Sequence, residues 1–184
     1  MIQPIDTQLF GTIHRAKKIN SKIKGNRSEL VVAKLLSDWT GHEFVRVPMS
    51  GGLRWKSRED ICGDVINVDK KTFDFPFSVE AKSYKNLGLA VLMPSNLRKN
   101  SIVYTFFEQC KRDAEAAGKI PFLIVRQNGM QKDQYYIFLS MNLLQMMKIF
   151  NYIEPKYMGD LLGFKSEEFF KKVSLETLKF VYGK

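Results

Sequence analysis

The segment from residue 77 to residue 82, FSVEAK, constrains the fold of this chain more than any other. Apolar and polar residues alternate in it, and a period of two is typical of a β-strand, whose successive side chains point to opposite faces. One face would carry Phe77, Val79 and Ala81, and the other Ser78, Glu80 and Lys82. The apolar face predicts a sheet that packs on a core, and the other face presents an anion beside a cation.

The hydrophobic pattern on either side of this strand predicts alternating helices and strands. We expect a helix at 26–39, strands at 43–47, 61–68 and 77–82, a helix at 101–117, and strands at 121–126 and 135–139. Residues 49–59 and 86–100 show neither period and predict loops. This order predicts an α/β (α+β) fold, in which a mixed central β-sheet is flanked by helices.

The length of 184 residues predicts a single domain with its own core. Within 1–184 we distinguish a basic N-terminal arm at 1–24, a catalytic core at 25–140 and a tail at 141–184. The tail is rich in Phe, Met and Leu and predicts two or three short helices. Its apolar residues either cover the sheet or form an interface between two copies: Leu143, Met146, Met147, Ile149 and Phe150.

The chain is strongly basic, since 29 lysines and arginines against 19 aspartates and glutamates give a formal net charge of +10. The positive charge is clustered: residues 7–28 and 81–107 contain several cations and no acid. Such clusters are typical of nucleic-acid-binding proteins. An acidic membrane or protein surface and a merely solvated basic face are the alternatives.

The chain lacks the sequence features that several other classes of protein need. No stretch approaches the roughly 18 consecutive apolar residues of a membrane span, and the start shows no secretory signal, so we expect an intracellular protein without a membrane partner. Cys62 and Cys110 lie far apart without a CxxC motif and predict reduced thiols. His14 and His42 offer little material for a zinc site or a His-based triad, and no phosphate loop with Lys-Ser/Thr occurs.

Three acids and one lysine fall on the predicted core elements. Asp64 is expected in the middle of its strand, Glu80 and Lys82 on one face of the next strand, and Glu29 near the start of the first helix. Converging, partly buried carboxylates repel one another and usually need a cation. Because oxygen ligands suit Mg²⁺ or Mn²⁺ better than zinc, we expect one of these two ions.

Asp64 followed by Glu80-Ala81-Lys82 resembles the PD-(D/E)XK nuclease superfamily, although Gly63 stands where the signature has proline. Within it, the chain is most similar to archaeal-type and phage Holliday-junction resolvases. The segment 24–29, KGNRSE, resembles their basic glycine turn with a helix glutamate, and the segment 46–52, RVPMSGG, resembles their arginine and Ser-Gly loop. Gln109 matches a glutamine that is frequent on their next helix. The resemblance covers roughly residues 22–126, departs from the family at the insert 53–60, and leaves out the tail.

The resemblance implies a restriction-endonuclease-like fold and a metal-dependent, structure-selective DNA endonuclease that resolves four-way junctions as a homodimer. It implies that Asp64 and Glu80 hold the metal with the backbone carbonyl of Ala81, and that Glu29 completes the site. Lys82 would orient or activate the attacking water and stabilise the developing charge. Ser50 would touch the phosphate near the cut. The implied DNA-binding residues are Lys24, Arg27, Arg46, Arg54, Lys56, Arg58, Lys85 and Gln109.

Each of these residues also has a simpler interpretation. Glu80 and Lys82 could form a salt bridge on a half-exposed strand, Asp64 could be a turn acid, and Glu29 could favour the dipole at a helix N-terminus. Ser50 and Gln109 could be ordinary loop and surface residues. At the level of function, the alternatives are a restriction-like or general DNA nuclease and a catalytically silent nucleic-acid-binding protein.

Overall fold

The computed structural model describes residues 21–48, 62–69, 72–87, 101–131, 133–156 and 161–184. Of the helices in these ranges, none is long and apolar enough to cross a lipid bilayer. In chain order the elements are α1 (Ser21–Thr40), β1 (Phe44–Arg46), β2 (Val65–Asn67), β3 (Phe77–Tyr84), α2 (Ile102–Ala116), β4 (Ile120–Gln127), β5 (Tyr136–Leu139), α3 (Leu143–Phe150), β6 (Leu162–Lys165), α4 (Ser166–Lys172) and α5 (Leu175–Tyr182).

The strands form one sheet in the order β1-β2-β3-β4-β5-β6. β3 and β4 are parallel, from Phe77 opposite Ile120 to Tyr84 opposite Gln127, and the other neighbouring strands are antiparallel. A parallel pair needs a crossover connection, and α2 provides it. The sheet is therefore mixed and flanked by helices, which confirms the α+β prediction.

β3 is buried on both faces. On one face, Phe77 and Val79 belong to the same core as Val32 of α1. On the other face lies α2, whose Cys110 Sγ donates to the carbonyl of Ser78 over 3.7 Å. The predicted alternation therefore separates the two faces correctly, but the polar face is covered by a helix.

Three elements differ from their predicted bounds. α1 begins at Ser21, inside the stretch predicted as the arm. β2 contains only three residues, so the strand predicted at 61–68 is too long. β3 continues to Tyr84 because its parallel partner β4 continues alongside it to Gln127.

The tail is not wholly helical. α3, α4 and α5 agree with the prediction of short helices, but β6 adds a strand that pairs with β5 at the edge of the sheet. All residues of β6 except its last are buried, so it lacks an alternating pattern. Periodicity alone cannot distinguish such a short buried strand from a helical segment. The tail thus contributes to the central sheet as well as covering it.

Candidate active site

A tight turn immediately before β2 positions Asp64, which therefore does not lie in mid-strand as predicted. Gly63 has a φ of +86°, in the left-handed region that favours glycine. The amide of Asp64 donates to the carbonyl of Val79 over 2.8 Å, and the carbonyl of Asp64 accepts from the amide of Val47 over 2.8 Å. These two bonds tie the turn to β3 on one side and to the end of β1 on the other.

Glycine is required at position 63 by the backbone of β3. A Cβ on this residue would overlap the carbonyl oxygen of Val79 and lie 3.0 Å from its carbonyl carbon. Proline would not fit either, because its ring fixes φ at about −65°. The local backbone thus explains why Gly63 stands where the superfamily signature has proline.

The side chain of Asp64 reaches back to β3. Its Oδ2 accepts a hydrogen bond from the amide of Ala81 over 3.0 Å. Asp64 is only 7% exposed, and Glu80, the neighbour of Ala81, is only 3% exposed. Two carboxylates from different elements are therefore held near one another in a place that is largely closed to water.

One oxygen of Glu80 accepts from two donors. Lys82 Nζ donates to Oε1, and Gln109 Nε2 donates to the same atom over 3.0 Å. Gln109 is brought there by α2, which packs against β3. The residue that the sequence predicts as a DNA contact thus binds Glu80, and the salt bridge expected by the simpler interpretation is also present. Together the two donors fix the orientation of the carboxylate.

The charges of this cluster are unevenly balanced. Burial first, and the charge of Asp64 second, raise the pKa of Glu80 to about 7, although Lys82 acts in the opposite direction. Burial acts to lower the pKa of Lys82, but attraction to Glu80 and then to Asp64 and Glu29 outweighs it, so this pKa is raised. Lys82 is therefore held as a cation, and a further cation would favour the ionised form of Glu80.

Glu29 lies well inside α1, because the helix begins eight residues earlier at Ser21. Its interpretation as an acid at the helix N-terminus is therefore wrong, since the dipole effect is confined to the first turn. Glu29 Oε2 accepts from Arg46 Nε over 3.1 Å. Burial and then Asp64 raise the pKa of Glu29, against the effects of Arg46 and Lys82. The charge of Asp64 thus acts on Glu29, but Glu29 also forms an ion pair with Arg46.

Asp64 and Glu80 fit a hard divalent cation through the chemistry of their donor atoms. Carboxylate oxygens are the ligands that Mg²⁺ and Mn²⁺ prefer, and a cation would offset the repulsion between two buried acids. Within the described ranges, no group of three or more His, Cys, Asp or Glu side chains converges closely enough to hold a metal ion. The structure therefore supplies a two-carboxylate site and does not gather Glu29 into it.

The other predicted residues fall into two groups. Arg27 and Lys85 are exposed, and Lys24 Nζ donates to Asn128 Oδ1 in the turn after β4. The remaining four lie outside the described residues: Ser50, Arg54, Lys56 and Arg58.

One contact at Ser78, which lies on the same face of β3 as Glu80, is not predicted from the sequence. Cys62 Sγ lies 2.7 Å from Ser78 Oγ and donates to the carbonyl of Asp113 over 2.9 Å. These bonds join the turn before β2 to β3 and α2. Burial raises the pKa of Cys62, which favours the neutral thiol. The sequence feature that points to this contact is the alternation in FSVEAK, which places Ser78 on the same face of the strand as Glu80.

The fold and the site define the class of protein. A mixed sheet with an aspartate before its second strand and Glu-x-Lys on its third is the arrangement of the PD-(D/E)XK nuclease superfamily. Within that class, the chain belongs to the family described as "Phage putative PDDEXK endonuclease", which residues 20–179 match. This match extends through most of the tail, which lies outside the resemblance described above for residues 22–126.

One curated protein is similar to this chain over much of its length. Protein D14 of Escherichia phage T5 is 29% identical to it over 115 residues, which cover 61% of this chain and 68% of that protein. No solved structure is significantly similar to the chain. The family match therefore carries the assignment to an endonuclease family.

Proposed function

We propose that this chain is a metal-dependent, structure-selective DNA endonuclease that resolves four-way junctions as a homodimer. The observation that carries the proposal is the buried pair of carboxylates, Asp64 and Glu80, with Lys82 and Gln109 bound to Glu80. In a basic chain of an endonuclease family, this cluster favours hydrolysis of a phosphodiester bond.

Asp64 and Glu80 would hold Mg²⁺ or Mn²⁺ with help from the carbonyl of Ala81, and Glu29, which stays outside this pair of carboxylates, would add negative charge beside it. When bound, such an ion neutralises charge on the phosphoryl oxygens and makes water nucleophilic at neutral pH. Asp64 is oriented for this task by the Ala81 amide, and Glu80 by its two donors. The carboxylates are therefore fixed in place before DNA binds.

Lys82 is the cation best placed to act on the reacting atoms. It shares a sheet face with Glu80, so its Nζ can donate to the attacking water or to a phosphate oxygen as negative charge develops. A donor aimed at developing charge in a water-poor site is typically worth about 2.7–4 kcal/mol of transition-state stabilisation. Lys82 is thus proposed as a catalytic residue, and its salt bridge with Glu80 keeps it near the phosphate.

DNA binding would come from the cations around this centre. Lys24, Arg27 and Lys85 are proposed to contact the backbone, and Ser50 to contact the phosphate at the cut. Each neutralised phosphate releases condensed counterions, so binding to a chain of net charge +10 should weaken steeply with salt.

A four-way junction is resolved by two opposed cuts, which favours two active sites related by a two-fold axis. α3 offers a surface for such a dimer, because its Leu143, Leu144 and Met147 are 71%, 70% and 61% exposed. Clustered exposed apolar side chains often mark an interaction surface. Ile149 is buried and Met146 packs against the core, so only part of the apolar tail is available to a partner.

Cleavage of a four-way junction, a flap and a linear duplex of matched sequence, with and without Mg²⁺, tests the proposal. We expect paired symmetric cuts in the junction, little cutting of the duplex, and none without the metal. Equal cutting of the duplex would favour a general DNA nuclease instead. Tight binding by folded protein without any cutting would favour the silent nucleic-acid-binding alternative.

A further inference from the structure

The strand β3 leaves the core toward its end, and it carries an exposed aromatic ring there. Glu80, Lys82 and Tyr84 lie on one face of β3, because side chains two residues apart point the same way. The side chains of Glu80 and Lys82 are 4% and 26% exposed, and Tyr84 is 44% exposed. The accessible part of the carboxylate site therefore continues along this face from Lys82 to Tyr84.

One edge of β3 is open beside these exposed side chains. On one side, β4 runs along β3 up to Gln127, which lies opposite Tyr84. On the other side, β2 pairs with β3 only where Val65 lies opposite Val79. Beyond that pair, no strand in the described ranges lies along this edge of β3. The exposure of Lys82 and Tyr84 is thus found where the sheet is open on one side.

Tyr84 is held in place although it is exposed. Its ring makes an edge-to-face contact with Phe106 of α2, with the ring centroids 5.6 Å apart. Phe106 lies three residues before Gln109, which binds Glu80, so the same side of α2 contacts both ends of this row. The carbonyl of Tyr84 accepts from the amide of Asn128 over 2.9 Å. A ring that is already positioned loses little conformational entropy when a ligand binds to it.

The chemistry and the spacing of this row suit a DNA strand. Tyrosine rings are surfaces on which bases stack, whatever their sequence. Tyr84 stands between Lys82 and the exposed Lys85, two cations that suit phosphates. Two residues of a strand span about 6.8 Å. Two stacked nucleotides advance by the same distance at about 3.4 Å each. With a phosphate at Lys82, a base within about two nucleotides of it can therefore reach the Tyr84 ring.

We propose that Tyr84 stacks on an unpaired base within about two nucleotides of the phosphate bound at Lys82. The inference rests on the proposed endonuclease function and adds a specificity-determining residue to it. A base inside a duplex is stacked on its neighbours, and taking it out of the stack costs free energy. An unpaired base offers its face without that cost, so contact with Tyr84 distinguishes unpaired from continuous duplex DNA.

Two single strands of equal length separate base binding from phosphate binding. One is oligo-dT and the other carries an abasic site at every position, and both are titrated against the protein in EDTA. The unaltered protein should bind oligo-dT more tightly. Tyr84→Leu should weaken oligo-dT binding by roughly fivefold or more and leave the abasic strand unchanged, because it removes a stacking surface and no charge. Tyr84→Phe keeps the ring and should keep both affinities.

The matched control is Tyr152→Leu, which removes the same ring from the turn after α3. Tyr152 is 42% exposed and so nearly as accessible as Tyr84, but it lies outside the strand that carries Glu80 and Lys82. This control should change neither affinity. If folded Tyr84→Leu weakens both strands by the same factor, as loss of a phosphate contact would, or weakens neither, the stacking role of Tyr84 is refuted.

Crosslinking of the unaltered protein gives a second measurement that does not depend on the folding of a variant. A single strand containing 5-iodouracil should crosslink to Tyr84 under ultraviolet light, and crosslinks confined to other residues would overturn the inference. A base preference that Tyr84→Leu removes, without any Mg²⁺-dependent cleavage, would refute the proposed function and leave the stacking role standing. Junction cleavage by a protein whose base preference survives Tyr84→Leu would do the reverse.

Discussion

Gly63→Ala should damage the active site through the backbone alone. An L-residue at the φ of +86° found here costs about 1–2 kcal/mol. The overlap of the new Cβ with the carbonyl of Val79 adds about 1–3 kcal/mol, as overpacking typically does. We therefore expect the free energy of unfolding to fall by about 2–5 kcal/mol. The Asp64 amide bonds to the same carbonyl, so relieving the overlap displaces Asp64, and a shift of about 1 Å can cost about 10²-fold in rate.

Gly41→Ala is the control for this experiment. Gly41 also has a positive φ, +74°, but nothing lies within 4 Å of a Cβ placed on it. Gly41→Ala should lower the free energy of unfolding by about 1–2 kcal/mol and leave the cleavage rate per folded molecule unchanged. Urea denaturation and single-turnover cleavage of a junction, corrected for the folded fraction, compare the two variants. If Gly63→Ala behaves like Gly41→Ala in both measurements, the proposed anchoring of Asp64 by this turn is wrong.

Further changes test the other parts of the account. Asp64→Asn should abolish cleavage but keep or tighten DNA binding in a filter or anisotropy assay, because a negative charge that faces phosphate is removed. Lys82→Ala should lower the single-turnover rate by about 10²–10³-fold, and near-normal activity would reduce Lys82 to a salt-bridge partner. In EDTA, the raised pKa of Glu80 means that its neutral form stabilises the folded state. That contribution to stability is fully present below about pH 4.5 and is lost as the pH rises through about 7. The free energy of unfolding of wild type should therefore fall by on the order of 3 kcal/mol relative to that of Glu80→Gln between about pH 4.5 and about pH 7. Denaturation curves measure this difference, and a difference that stays constant with pH would contradict the raised pKa. Leu143→Glu with Leu144→Glu should convert a dimer into a monomer by light scattering, and an unchanged mass would exclude α3 as the interface.

The central part of the sheet and its chemistry are readable from the sequence. The alternation in β3 predicts two distinct faces, and the structure places Glu80 and Lys82 together on one of them. Gln109 is singled out by the family resemblance, which does not tell that its side chain binds Glu80. Local periodicity gives the face of a residue, but the partner across that face depends on tertiary packing.

Three features of the structure cannot be predicted from the sequence, for physical reasons. β6 is buried on both faces and only four residues long, so no period distinguishes it from the helices around it. The position of Asp64 depends on the left-handed backbone of Gly63 and on the Val79 carbonyl. A glycine next to an aspartate in the sequence predicts neither of these features. No sequence signal in residues 21–25 marks the earlier beginning of α1, so the hydrophobic pattern places Glu29 at the start of the helix.

Mn²⁺ binding and metal-dependent cleavage, measured on the same preparations, test the central claim most directly. Calorimetric titration should show that Mn²⁺ binds to wild type and to Lys82→Ala but not to Glu80→Gln. Only wild type should then cut a four-way junction at the full rate when Mg²⁺ is added. Unchanged Mn²⁺ binding and unchanged cleavage in folded Glu80→Gln would contradict the assignment of Asp64 and Glu80 as the metal site of a nuclease.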